Sequence, residues 1–318
     1  MGILHSGILN SIPDTRVKAI CEKEGYLLKA GKGLLGGSVS FYTDYLEMIE
    51  QEQLDAVYIT TPINTHAPMV VDIVRANRSI SLFVEKPLAE SGHTAKQACD
   101  AVANANGAYA VGYQKRYSPV FIRARELLSK GALGDLMFFR SYSYSSDVLR
   151  EGSTWRFAKG SGGVQLDLAP HLLDLLIWFF GEPDTVTAIR RRIYSGEVDD
   201  YVHAALSFRS DLKGYIDTCW SMKAYRLPEV MIEVYGKHGI LAVTDDILRL
   251  TTDKEDANQL MYKPSFDNSV PFLLADPEYT KESQDFLACV VNRTMPECNF
   301  TEAAKVNRLI ERITDSER

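Results

Sequence analysis

The chain has 318 residues, 46% of them hydrophobic and 24% charged, and its 35 basic against 42 acidic side chains leave a formal charge of -7. That length favours two domains with a sizeable core, and the acidic balance, whose densest basic run is Arg190-Arg191-Arg192, argues against a nucleic-acid binder that works by phosphate neutralisation. The longest apolar run, Leu175 to Phe180, is far short of the about 20 residues of a membrane span, and the five cysteines form no C-x-x-C pair, so a cytoplasmic protein without membrane, metal or disulfide framework is expected.

The first hundred residues alternate β-branched runs with amphipathic stretches, the pattern of βαβ units and a parallel sheet. Strands are predicted at Val17–Cys21, Ala56–Thr60, Ser81–Val84 and Ala108–Gly112, with helices at Tyr45–Glu52, Ala67–Ala76 and Thr94–Asn106. After Tyr113 the texture changes: a helix at Pro119–Ser129 leads into an aromatic strand, Leu136–Tyr144. Long strands follow at Thr185–Tyr194, Val202–Phe208, Lys213–Trp220, Glu229–Tyr235 and Ile240–Thr244, which indicates an antiparallel sheet. Helices at Lys281–Asn292 and Glu302–Ile313 close the chain. The expected class is α/β: a doubly wound Rossmann-type domain over 1–115 and an α/β domain with a large, open, mostly antiparallel sheet over 116–318.

Gly31-Lys32-Gly33-Leu34-Leu35-Gly36 matches G-x-G-x-x-G, but no buried strand precedes it and strand-like Val39-Ser40-Phe41 follows. A surface turn is expected there instead of a phosphate loop. The N-terminus is more informative. Gly2-Ile3-Leu4-His5-Ser6 leads through an apolar helix into Val17-Lys18-Ala19-Ile20-Cys21-Glu22, the second half of a dinucleotide fold. An acidic residue about 20 positions after a glycine turn suits the adenosine ribose hydroxyls, and Glu22 fits. Gly2 then reads as the last fingerprint glycine, with the first strand and the first two glycines lying upstream of Met1.

Two strand ends carry polar groups at the edge where open α/β sheets bind ligands. One runs Thr60-Thr61-Pro62 with Asn64 and His66 following; the other is Val84-Glu85-Lys86-Pro87, where the Lys-Pro bond suits a cis turn. In the second domain Gly162-Gly163 precedes Asp167, Pro170, His171 and Asp174. Helical spacing puts Asp167, His171 and Asp174 on one face, where a carboxylate orients an imidazole for proton transfer; a capped core histidine is the alternative. Pro170 requires a kink or a break in that helix.

Taken in order, Gly2–His5, Thr61-Pro62 with His66, Glu85-Lys86-Pro87, and Gly162-Gly163 with Asp167, His171 and Asp174 resemble the glucose-fructose oxidoreductase, inositol dehydrogenase and MocA (Gfo/Idh/MocA) family across essentially the whole chain. The resemblance implies NAD binding, with NADP disfavoured by the Glu22 carboxylate, and Gly2, Glu22, Thr61, Pro62, Asn64, His66, Glu85, Lys86 and Gln114 on the cofactor side. It implies that Lys86 holds the substrate hydroxyl, that His171 takes its proton and that Asp167 assists. Arg116, Trp155 and Arg156 join Lys86, Asp167 and His171 around a small-molecule sugar, nucleotide sugar or cyclitol, in a homo-oligomer, dimer or tetramer.

The departure is the absent glycine-loop strand, whose loss is expected to weaken NAD binding and expose the edges of neighbouring strands. A dehydrogenase acting on CH-OH groups is the leading expectation. An NAD-assisted glycosidase, a non-catalytic sensor and an inactive truncated form remain open alternatives.

Overall fold

The computed structural model describes residues 1–35, 39–151, 162–264 and 277–316, in two compact units. The first contains α1 (Gly2–Ser11), β1 (Ala19–Cys21), α2 (Gly25–Leu35), β2 (Ser40–Tyr42), α3 (Tyr45–Gln51), β3 (Ala56–Ile59), α4 (Ile63–Ala76), β4 (Ser81–Val84), α5 (Gly92–Val102) and β5 (Tyr109–Val111). All strand pairs here are parallel, but they form two sheets, β1-β2 and β3-β4-β5. Strand β4 is central and buried along its whole length, which explains its unbroken run Ser81-Leu82-Phe83-Val84 in place of an alternating one. Both β1 and β3 line one cleft of about 2240 Å³, and among the described residues no strand joins the two sheets.

The glycine run Gly31-Lys32-Gly33 lies in the C-terminal part of α2, so it is neither a phosphate loop nor the surface turn that its composition suggests; residues 36–38 lie outside the described residues. A Cβ built on Gly31 would lie 3.4 Å from the Phe41 ring, so the missing side chain lets α2 pack closely on β2. Packing overrides a weak helix propensity there.

The second unit contains a 3₁₀ turn over Gln114–Tyr117, then α6 (Pro119–Ser129), β6 (Leu136–Tyr144), α7 (Gly163–Asp167), α8 (Ala169–Phe180), β7 (Thr185–Arg191), β8 (Tyr201–Ser207), β9 (Lys213–Cys219), β10 (Glu229–Gly236), β11 (Gly239–Thr244), β12 (Ile247–Thr252) and β13 (Gln259–Tyr262). These strands make one eight-stranded sheet in the order β13-β12-β11-β10-β6-β9-β8-β7. Every neighbouring pair is antiparallel except β6 with β9. Helices α6 and α8 pack against it. Along β6 the alternation is regular: Phe139, Ser141 and Ser143 are buried, while Phe138 and Arg140 are exposed. Phe139 is registered opposite Gly214, and any Cβ at Gly214 would overlap its ring, so the glycine makes room for a core aromatic.

The expected second domain over 116–318 is not continuous. Helices α9 (Pro277–Asn292) and α10 (Phe300–Asp315) close the described chain, and residues 277–304 belong to the first unit. Phe286 of α9 meets the Phe83 and Tyr58 rings edge-on at 5.6 and 5.5 Å. Beside β5, Val111 N–H donates to the Cys298 carbonyl at 3.0 Å, and Ala110 bridges Asn299. An apolar face on the three-stranded sheet requires a cover, and the returning segment supplies it.

Candidate active site

In the first unit the cofactor-type residues lie at the carboxyl ends of the strands. A Cβ on Gly2 would lie 3.1 Å from Thr60 Oγ1, so the glycine permits close seating of the α1 N-terminus on the end of β3. Glu22 follows β1 and is half-buried, with Oε1 accepting from the Glu24 N–H at 2.9 Å. Gly2, Glu22, Thr61, Pro62 and Asn64 all line the same cleft. The structure therefore brings together five of the residues expected around a dinucleotide, and the exposed N–H groups of a helix start suit a phosphate.

Glu85 and His66, expected on the cofactor side, are engaged by protein groups. His5 Nε2 donates to Glu85 Oε1 at 2.8 Å, and the Lys86 N–H donates to Glu85 Oε2 at 3.2 Å. The Lys86-Pro87 bond is cis. His66 Nδ1 lies 2.9 Å from the Pro87 carbonyl and its Nε2 2.9 Å from the Thr61 carbonyl. Both side chains are thus taken up by protein partners. Sequence reasoning missed His5 as part of this cluster, because its partner is 80 residues away. Lys86 itself is half-buried beside them.

In the second unit, Gly162 and Gly163 have φ of +76° and +61°, and a Cβ at Gly163 would lie 2.7 Å from the Asp199 carbonyl. Glycine is required there to start α7 against the Val198-Asp199 backbone. The expected single helix is two: α7 ends at Asp167, Leu168 forms the joint, and Pro170 sits in the first turn of α8, where its lost N–H costs nothing. His171 follows, half-buried, with its ring edge-on to Tyr113 at 6.1 Å and 89°.

Asp174 is not presented beside His171 as a catalytic carboxylate. Its oxygens accept from Arg116 Nε at 2.8 Å and Nη2 at 2.6 Å, and both side chains are buried. Arg116, expected to contact substrate, is paired with Asp174 and also lies 5.7 Å from the Trp178 ring centre. Gln114 opens the 3₁₀ turn, half-buried. Trp155 and Arg156 lie outside the described residues.

Burial pushes the His66 imidazole below its ordinary range, more than its carbonyl partners raise it. Burial raises the Glu85 carboxyl, but the His5 hydrogen bond and charge, helped by Lys86, outweigh it and hold it below the carboxylate range. Both groups therefore bind protons less readily in the folded state than in the unfolded one. The stability from His66 is complete above about pH 6.5 and is lost as pH falls through its folded value; that from Glu85 is complete above about pH 4.3 and is lost further into acid. Urea unfolding of wild type and His66→Gln across this range is expected to show a stability gap that narrows below about pH 6.5. A gap independent of pH would remove His66 from the linkage.

A parallel strand-and-helix unit whose strand ends line a cleft, joined in one chain to a large open sheet, is a two-unit α/β architecture with its ligand edge on the first unit. The NAD-binding Rossmann-fold model of the oxidoreductase family matches residues 11–113, and the GFO/IDH/MocA C-terminal domain model matches residues 121–242. The chain belongs to the Gfo/Idh/MocA family. It is 30% identical over 227 residues to levoglucosan dehydrogenase of Pseudarthrobacter phenanthrenivorans, covering 62% of this chain and 57% of that one. It is 25% identical over 307 residues to scyllo-inositol 2-dehydrogenase (NAD(+)) of Bacillus subtilis, covering 93% and 85%. The chain spans a little over half the length of several curated relatives, at 58%, 56% and 57%. A solved levoglucosan dehydrogenase in complex with NADH and levoglucosan shares the fold, with a TM-score of 0.88 at 21% identity over 99% of this chain and 94% of that one.

Proposed function

We propose that this chain is an NAD-dependent dehydrogenase acting on a secondary hydroxyl of a sugar, nucleotide sugar or cyclitol. The observation that carries the reading is Lys86, held at the carboxyl end of β4 between two anchored neighbours. The donor set fits a dinucleotide: the α1 N-terminus at Gly2 suits phosphate, Glu22 suits the ribose hydroxyls, and Thr61, Pro62 and Asn64 continue the cleft. Oxidised nicotinamide, when bound, supplies the hydride acceptor. Lys86 then orients the substrate hydroxyl by donating to its oxygen. His171 accepts the hydroxyl proton as the C–H electrons leave, and Asp167, four residues earlier, assists it. Names of related proteins support the substrate class, since levoglucosan and scyllo-inositol are cyclic polyols.

Calorimetric titration with NADH, followed by a screen of levoglucosan and the inositols with NAD+, tests the reading. Net NADH formation is expected. Glycoside cleavage without net NADH would identify an NAD-assisted glycosidase instead, and tight NADH binding with no turnover of any polyol would identify a sensor.

Replacing Glu22 by serine removes the carboxylate that repels a 2′-phosphate. The expected result is NADPH affinity raised about tenfold or more relative to NADH, since about 1.4 kcal/mol of relieved repulsion is one decade. Parallel titrations with both nucleotides read it directly.

Self-association completes the proposal. Helices α6 and α8 pack on the second unit's sheet. On β6 and β9 the positions that alternate with the core carry Phe138, Arg140 and Tyr215, all exposed. Such a face suits a symmetric dimer, which light scattering would detect. No described helix is long and apolar enough to cross a membrane, and free thiols at all five cysteines support a cytoplasmic setting.

A further inference from the structure

We propose that His5 and His66 form a bracket that positions Lys86, His5 acting through Glu85 and His66 through the Pro87 carbonyl. The inference rests on the reading of Lys86 as the substrate lysine, and it assigns both histidines and Glu85 to positioning.

His5 comes from the first turn of α1 and His66 from the first turn of α4, so each belongs to a helix that starts near a strand end. Both histidines are 1% exposed and Glu85 is 8% exposed. The His5 ring is wedged among Tyr58, Phe83 and Tyr279, with centroids at 5.4, 5.2 and 6.2 Å, which fixes its rotation and aims Nε2 at Glu85. Glu85 uses one oxygen for His5 and the other for the Lys86 N–H. One residue beyond Lys86, His66 lies between the Pro87 carbonyl and the Thr61 carbonyl just past β3, 2.9 Å from each, and its neutral ring donates to one of them while packing against the other. The backbone on both sides of Lys86 is therefore tied to a helix, and the turn is tied to the neighbouring strand end.

Stability alone gives a poor account of these groups. A buried carboxylate and two buried imidazoles carry desolvation costs that a well-packed apolar cluster would avoid. Their side-chain bonds converge instead on the turn around one half-buried lysine at the ligand edge of the sheet. A reacting group is useful only when supporting side chains hold it in place.

The test reads Lys86 without needing a substrate. Competitive labelling with limiting acetic anhydride, followed by mass spectrometry, gives the reactivity of the Lys86 amine against pH. His5→Phe keeps an aromatic ring against Tyr58 and Phe83 but removes the donor to Glu85. The Glu85 carboxyl then loses the partner that does most to hold it below the carboxylate range, and its negative charge beside Lys86 weakens. Glu85 and His66 are among the groups facing Lys86; Tyr58 and Tyr279 face His5. Acetylation of Lys86 near pH 8 is expected to rise about threefold or more, with the whole profile displaced toward lower pH. Glu85→Gln is expected to produce the same displacement. The double variant should add nothing further, because His5 acts through Glu85. His5→Gln, which retains a donor, is expected to restore most of the wild-type profile.

A Lys86 profile unchanged in folded His5→Phe, or additive effects of the two single variants, would overturn the proposal. Should His5→Phe not fold, an unchanged profile in Glu85→Gln overturns it equally. The labelling result is separate from the dehydrogenase reading, which falls if Lys86→Ala leaves polyol oxidation unchanged. With turnover in hand, kcat for His5→Phe is expected to fall about tenfold while NADH affinity stays at the wild-type value.

Discussion

Alanine in place of His171 is expected to lower kcat by about 10²- to 10⁴-fold, the range for losing a general base, while NADH affinity and thermal unfolding stay near wild type. The imidazole is on the first turn of α8, half-buried and edge-on to Tyr113, so its removal takes away little core. Lys86→Ala is expected to have an effect of similar size, with its loss in kcat and in kcat/KM alike if the ammonium matters most in the transition state. Steady-state kinetics on whichever polyol gives net NADH, with calorimetry on both variants, checks this. Wild-type turnover in both would remove these residues from the chemistry.

The largest loss of stability is expected from Asp174→Ala. The carboxylate receives two Arg116 donors in a buried, bidentate pair, and removing it takes both charge-assisted hydrogen bonds from a buried guanidinium. Breaking such a pair costs about 3–5 kcal/mol, whereas replacing both partners by apolar residues of similar volume is often neutral or stabilising. Urea unfolding of Asp174→Ala and of the double variant Arg116→Met, Asp174→Leu is therefore expected to rank the double variant well above the single one. Equal losses would mean that the pair acts through packing alone. Arg116→Lys is not expected to rescue, because an ammonium lacks the planar fork that meets both carboxylate oxygens.

Much of this fold is legible from periodicity. Burial along Leu136–Tyr144 alternates because one face of its sheet is covered, and Leu82-Phe83-Val84 is apolar throughout because β4 is buried on both faces. What escaped the sequence depends on distant partners. Gly31 reads as a turn residue until Phe41 is placed against the helix face it opens. Asp174 shares a helical face with His171 by spacing, yet Arg116, 58 residues earlier, takes its carboxylate. Strands β12 and β13, six and four residues long, carry too little pattern to stand out. The site shows the same division. The strand-end motifs around Thr61 and Lys86 are local and visible, whereas the His5–Glu85 pair exists only once β4 is set beside α1.

The return of residues 277–304 to the first unit bears on how the protein is made. Multidomain chains ordinarily fold in order as they leave the ribosome, N-terminal domain first. Here the face of the β3-β4-β5 sheet that carries Tyr58 and Phe83 waits for Phe286, and β5 waits for Cys298 and Asn299. At about 5–20 residues per second, the roughly 190 residues from Gly112 to Ala304 take on the order of 10 to 40 s to synthesise. Through that interval the nascent first domain presents an uncovered aromatic surface, a natural target for chaperone holding, while the second domain's strands have already emerged and can pair.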